Sequence, residues 1–244
     1  MISTTDLVTY PDPAAGGQNK GTLRGEGSVL YRELHSRPAW VLSIIGAGGS
    51  GKTTKAFSLL DYWFPDEEIY LFRYPSDNLR NFPRHMLRRV HSFEDFSEIS
   101  GRPGIIMFDD VALHFLSRNA GASGNKDFLQ MLTIARHNDW RFIITAQSSI
   151  LNDKGFFEAL DVFSLRCRMT AAQALCEREE FVQLQLSINE LLAHKTEGLP
   201  YSEARGFCFC PETMEVFRFA NWPFMNEALS KPYKGVTVHD GSFA

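Results

Sequence analysis

Gly46-Ala47-Gly48-Gly49-Ser50-Gly51-Lys52-Thr53 satisfies the pattern G-x-x-x-x-G-K-[ST], the loop whose backbone N–H groups cradle the phosphates of a nucleotide. A triphosphate needs several of those N–H groups turned into one concavity, and glycines keep that concavity free of side chains. Lys52 is placed to reach the β- and γ-phosphates, and the Thr53 hydroxyl to meet Mg²⁺. Gly46, Ala47, Gly48, Gly49, Ser50, Gly51, Lys52, Thr53 and Thr54 form the expected contact set, with the positive end of the following helix aimed at the anion. The flanks agree. Val41-Leu42-Ser43-Ile44-Ile45 reads as a buried strand, and residues 54–64 carry Ala56, Leu59, Leu60 and Trp63 at helical spacing until Pro65. The cofactors expected are therefore ATP and Mg²⁺.

Outward from the loop the chain alternates strand and helix. Apolar runs at 40–45, 68–73, 104–108, 141–146 and 162–167 predict five strands. Helical stripes are expected over 125–137, on Phe128, Met131, Leu132 and Ala135, and over 92–99, on Phe93 and Phe96. That order implies an α/β fold: a mainly parallel sheet covered by helices on both faces. Beyond residue 168 the period is ambiguous. Residues 181–188 alternate like a strand, while Ser187-Ile188-Asn189-Glu190 forms a capping box able to open a helix through His194. Residues 206–210 and 214–219, joined by Pro211-Glu212-Thr213, predict a β-hairpin. The expected division is an irregular N-terminal arm (1–36), a core (37–170) and a C-terminal extension of the same domain (171–244).

A chain of 244 residues suits one such domain with an appendage. Its net charge of -4 gives no global basic field to advertise nucleic acid, although a local patch can supply one. No apolar run approaches the roughly 18 residues of a membrane span, and residues 1–19 lack a signal-peptide core, so a soluble, intracellular protein is expected. Cys167, Cys176, Cys208 and Cys210 complete no metal-ligand set with the seven histidines.

The run Gly104-Ile105-Ile106-Met107-Phe108 ends in Asp109-Asp110, a Walker B pattern. A carboxylate at the end of a buried strand is suited to hold Mg²⁺ against the phosphates, and its neighbour to polarise the attacking water. Asp109 is assigned to the metal and Asp110 to the water. The strand ending Thr145-Ala146 is followed by Gln147, whose amide can donate to a γ-phosphate and accept from water. The stretch resembles additional-strand P-loop NTPases, in which an extra strand separates the two Walker strands and carries a polar sensor at its tip, the position that Gln147 matches.

Residues 40–168, with the phosphate loop, the acid pair, Ile134-Ala135-Arg136-His137 before a strand, Thr145-Ala146-Gln147 at its end and Leu160-Asp161-Val162-Phe163 opening another, resemble the FtsK–HerA superfamily. Within it the chain is similar to viral genome-packaging ATPases and to Zot-like phage assembly proteins. The resemblance implies that Arg136 acts on a neighbouring subunit's nucleotide, and hence a homo-oligomeric ring, a hexamer or pentamer. It implies an ATP-driven motor that moves double-stranded DNA without sequence preference into a preformed capsid, with capsid vertex proteins as partners, in the infected cell's cytoplasm or on the virion. One departure is Asp110, where many members carry Glu; its shorter side chain reaches less far. The alternatives are an assembly NTPase working as a switch without moving DNA, and a small-molecule kinase. The kinase is disfavoured by an acid pair and glutamine suited to water as nucleophile.

Two segments are candidates to touch DNA. Arg73, Arg80, Arg84, His85, Arg88, Arg89 and His91 concentrate charge around Tyr74, Phe82 and Met86, as a phosphate-binding patch or equally as a solvated basic helix. The loop at 118–126, rich in Gly, Ser and Asn with Arg118 and Lys126 at its ends, suits a substrate-gripping pore loop.

Overall fold

The computed structural model of the chain describes residues 7–9, 28–110, 134–148, 161–219, 221–233, 238–239 and 242–243. The expected helix over 125–137 lies outside these residues except at its end, and the loop at 118–126 lies wholly outside them.

The strands are β1 (Leu7–Thr9), β2 (Val41–Ile45), β3 (Ile69–Phe72), β4 (Val90–Phe93), β5 (Gly104–Phe108), β6 (Trp140–Ala146), β7 (Val162–Cys167), β8 (Phe207–Cys210) and β9 (Glu215–Arg218). They form one sheet in the order β1-β9-β8-β7-β2-β6-β5-β3-β4. From β7 to β4 every neighbour runs parallel, whereas β8 is antiparallel to both β7 and β9. Among the described residues the α-helices are α1 (Val29–Ser36), α2 (Lys52–Tyr62), α3 (Ala171–Leu175), α4 (Glu179–Lys195), α5 (Tyr201–Ala204) and α6 (Glu227–Ser230). Val238–His239 and Ser242–Phe243 pair as a separate two-stranded ribbon. Strand β6 lies between β2 and β5, so an extra strand separates the phosphate-loop strand from the acid-pair strand. This is the strand order of an additional-strand P-loop NTPase.

Alternation along the strands sorts the core into two layers. Leu42, Ile44, Ile105, Met107 and Ile143 face α1 and α2, where they meet Leu30, Leu34, Ala56, Phe57 and Leu60. Val41, Ile106, Phe108, Phe142 and Ile144 face the other way, against Phe96, Ile99 and Ala135. The hairpin β8–β9 continues both layers. Cys208 and Cys210 join the first, and Phe207 and Phe209 meet Ile188 and Leu192 of α4 in a satellite core.

Four local expectations are corrected. Residues 92–99 are not a helix: Val90–Phe93 is strand β4, followed by a 3₁₀ turn at Phe96–Ile99 with Asp95 and Glu98 in a capping box. Val90 and Phe93 are buried where His91 is exposed, which suits an edge strand pairing in parallel with β3. Residues 181–188 are helical, within α4, and their alternation does not make a strand. The stretch expected to be an irregular arm contains α1, because Ser28 caps it and Glu215 of β9 accepts from Val29 N (2.8 Å) and Leu30 N (2.9 Å). The basic segment is not a helix either; it runs through a 3₁₀ turn at Ser76–Asn81 and further turns into β4. No helix among the described residues is long and apolar enough to cross a membrane.

Candidate nucleotide site

The phosphate loop leaves β2 at Gly46 and enters α2 at Lys52. Gly49 and Gly51 each adopt φ +78, a left-handed conformation that a side chain resists, and this allows the chain to turn its N–H groups inward. Gly46 is required for space: a Cβ there would stand 2.6 Å from Cys167 Cβ and 2.8 Å from Ser50 Oγ. A Cβ at Gly48 would meet nothing within 4 Å.

Lys52 Nζ donates to Ala47 O at 3.1 Å, folding the side chain over its own loop. Burial lowers its pKa below the ordinary lysine value, with Cys167, Asp110 and Asp109 opposing that shift. An arriving polyanion would reverse the desolvation cost and bind the charged form.

The acid pair stands at the end of β5. Phe108 faces the second core layer, so alternation turns Asp109 to the α2 side, where it is 7% exposed. Its Oδ1 accepts from Thr53 Oγ1 (2.8 Å), at the start of α2, and from Thr145 Oγ1 (2.9 Å), near the end of β6. Burial raises the Asp109 pKa, and those two hydroxyl bonds pull it back. Asp110 then leaves the strand in a left-handed conformation, φ 51. Asp is among the residues that tolerate this region, and such outliers cluster at functional sites. Its N–H donates to Thr145 Oγ1 at 2.7 Å, and its carboxylate Oδ1 is buried without a hydrogen-bond partner. Gln147 Nε2 lies 3.4 Å from Asp110 Oδ2, at the outer limit of a hydrogen bond.

Lys52, Thr53, Asp109, Asp110 and Gln147 thus converge from three segments. Thr145 joins them and was not among the residues singled out by sequence. The available signal was its place near the end of β6, two residues before Gln147. Arg136 lies in the 3₁₀ turn Ala135–His137 that leads into β6, three residues from Asp139 at φ 51.

The donor set fits Mg²⁺. Thr53 Oγ1 points its proton at Asp109, leaving lone pairs for a cation, and carboxylate and hydroxyl oxygens are the hard ligands this ion selects. Among the described residues no group of three or more His, Cys, Asp or Glu could hold a metal unaided.

The basic segment is less free than its sequence suggests. Arg89 is buried, donating to Phe64 O, Glu67 O and Leu60 O. His85 meets Asp61 at 2.6 Å, His91 meets Glu68 at 2.6 Å, and Arg73 stands 3.9 Å from Glu94. Arg80, Arg84 and Arg88 are exposed.

No family model matches the sequence, and no curated protein does. Among solved structures, the chain is similar to B204, the DNA-packaging ATPase of Sulfolobus turreted icosahedral virus, at 13% identity and TM-score 0.43, over 72% of this chain and 94% of that one. It is also similar to ATPases 2 and 3 of EssC from Geobacillus thermodenitrificans (13%, TM-score 0.47, 76% of this chain, 40% of that one). A third is the N-terminal domain of zonular occludens toxin from Neisseria meningitidis (19%, TM-score 0.38, 54% and 78%). At those identities and scores the likeness carries no functional weight, and the geometry of the site has to supply it.

Proposed function

We propose that this chain is a Mg²⁺-dependent ATPase that drives double-stranded DNA into a preformed viral shell. The observation that carries the catalytic part is the meeting of Thr53 and Thr145 on one oxygen of Asp109, at 2.8 and 2.9 Å. It ties the helix behind the phosphate loop, the acid-pair strand and the extra strand into one rigid corner.

In that corner the roles divide by position. Backbone N–H groups of residues 46–54 and the Lys52 ammonium hold the phosphates. Thr53 and Asp109 would hold Mg²⁺, which when bound neutralises charge on the β- and γ-oxygens. Asp110 accepts the proton of the attacking water, and Gln147, 3.4 Å from its Oδ2, orients that water. Arg136, in the turn before β6, would act on a neighbouring subunit's nucleotide in a homo-oligomeric ring. Residues 37–170 supply this core. Residues 171–244 are read as an extension of the same domain, a reading supported by β8 and β9 joining its sheet.

The DNA part rests on the superfamily resemblance of residues 40–168 and on the exposed Arg80, Arg84 and Arg88, which suit phosphate contact without base readout. Capsid vertex proteins would be its docking partners, in the infected cell or on the virion. One observation favours the second reading, an assembly NTPase that switches without moving DNA: four of the seven Arg and His side chains in the basic segment are engaged within the chain.

DNA-stimulated hydrolysis separates the two. Phosphate release is measured with and without long double-stranded DNA, at several salt concentrations. The motor reading expects a salt-sensitive rise in turnover; robust hydrolysis indifferent to DNA supports the switch.

A further inference from the structure

Strands β3 and β5 run side by side in parallel, with Leu71 beside Met107, and both of those side chains lie in the core layer that faces α2. Just past the end of β3, Arg73 takes a left-handed turn at φ 49, and Tyr74 returns its ring to the same layer. Asp109, two residues beyond Met107, turns to that side as well. A phenol and the carboxylate assigned to Mg²⁺ therefore stand at adjacent strand ends on one face of the sheet.

The Tyr74 ring is held in place. Phe82 lies at 6.1 Å between ring centroids and Tyr233 meets it edge-on at 6.4 Å, while the Tyr74 carbonyl accepts from Ser92 Oγ. Tyr233 is brought there by the segment after α6, which Asn78 Nδ2 ties to the turn behind β3 by donating to Pro232 O at 3.0 Å. Tyr74 is only 3% exposed, and its hydroxyl has no hydrogen-bond partner among the described residues. Burial, and after it the Asp109 charge, raise the pKa of this phenol, so at neutral pH it is an uncharged donor.

A buried hydroxyl that pairs with nothing is a cost to the fold, and phenylalanine would fill the same space without it. The hydroxyl is explained by a group that it meets when the site is loaded. Asp109 already takes Thr53 and Thr145 on its Oδ1, from α2 and from β6. Tyr74 comes from β3, which lies on the opposite flank of β5 from β6.

We propose that Tyr74 is a further positioning residue of the nucleotide site, its phenol donating to the water shell of Mg²⁺ on the β3 flank of Asp109. Mg²⁺ gives up its waters reluctantly, and fixed donors around those waters orient the ion and its ligands. The proposal rests on the nucleotide reading above and adds to it a residue from outside the phosphate loop, the acid pair and the extra strand.

The test is binding of a non-hydrolysable ATP analogue to the full chain and to its Tyr74→Phe variant, titrated with Mg²⁺ and also measured without it, together with the melting midpoint of each protein free of nucleotide. Tyr74→Phe keeps the ring and removes only the hydroxyl. It should bind the analogue as wild type does when Mg²⁺ is absent, and need about 10- to 100-fold more Mg²⁺ to reach the tighter, metal-dependent binding. Its melting midpoint should equal or exceed that of wild type, since an unpaired hydroxyl has been removed. The same Mg²⁺ requirement in both proteins overturns the role of Tyr74 and leaves the phosphate site standing. A lowered midpoint also overturns it, because the hydroxyl then has a partner in the nucleotide-free fold. If the wild-type chain does not bind the analogue, with or without Mg²⁺, the nucleotide reading falls and this proposal with it.

Discussion

Thr145 and Asp109, 36 residues apart, meet at 2.9 Å, and the same threonine oxygen accepts the N–H of Asp110 at 2.7 Å. One hydroxyl on the extra strand thereby fixes both acids, one by its side chain and the other by its backbone. Asp110 adopts a left-handed conformation there, its backbone N–H held by Thr145.

Replacing Thr145 by Val keeps the shape of the side chain and removes both bonds. Outer-shell partners of this kind typically cost about 10- to 100-fold in activity. Thr145→Val should lower kcat by that amount with nucleotide affinity nearly unchanged, and Thr145→Ser should restore most of it. Steady-state kinetics with a separate binding titration checks this; an unchanged kcat in the valine variant removes Thr145 from the site.

Asp110→Asn should bind nucleotide and fail to turn it over. Asparagine also tolerates the left-handed backbone, so the fold of the strand end is preserved. The amide cannot accept the water's proton, a loss of about 10²–10⁴-fold in rate. If nucleotide binding disappears together with turnover, Asp110 is a ligand of the metal.

On the proposed trans role, in which the cation serves a neighbour's transition state, Arg136→Ala should leave ATP binding intact and abolish hydrolysis in the assembled protein. A trans arginine is worth about 10³–10⁵ in rate. Mixing Arg136→Ala with Lys52→Ala subunits should recover part of the activity at interfaces that combine an intact pocket with an intact arginine. Co-assembly without recovery assigns Arg136 to its own subunit.

The Glu67–Arg141 pair gives a pH signature. Arg141, at the start of β6, donates to both carboxylate oxygens, at 2.8 and 2.5 Å, and this bond is the main reason the Glu67 pKa is lowered, with burial opposing. A folded-state pKa below the unfolded one stabilises the protein above the unfolded value, about 4.3, and that stability is lost as pH falls through the lower, folded value. The Glu67 side chain is 36% exposed, so the effect is small and screened by salt. Glu67→Gln should lower the melting midpoint at neutral pH, with the difference from wild type vanishing in acid. A difference that persists unchanged at low pH means the two bonds, not the charge, carry it.

The phosphate loop, the acid pair and the five central strands were legible because each is a local signal: glycines with lysine at fixed spacing, or an apolar run ended by charge. Strand β4 was not, since only Val90 and Phe93 of its four residues are buried and the polar pair between them matches no single period. Helix α1 was hidden in a polar arm, although Ser28 and the i, i+4 pair Leu30 and Leu34 were its signs. Its main anchor, Glu215, lies 185 residues from Leu30, a distance at which sequence gives no pairing. The same holds for Lys55, whose carbonyl partner Arg205 is 150 residues away. The basic segment misled for a related reason: charges that look continuous along the chain are split in space, with Arg89 turned into the core and Arg84 and Arg88 turned out.

The account is tested most directly by Mg²⁺-dependent phosphate release from ATP, measured on the wild-type chain and on Lys52→Ala. It predicts steady release that stops when Mg²⁺ is chelated and falls well below about a tenth of the wild-type rate in the variant, since the charge meeting the β- and γ-phosphates is gone. Release that survives chelation, or a Lys52→Ala variant that keeps more than about a tenth of the rate, would contradict it.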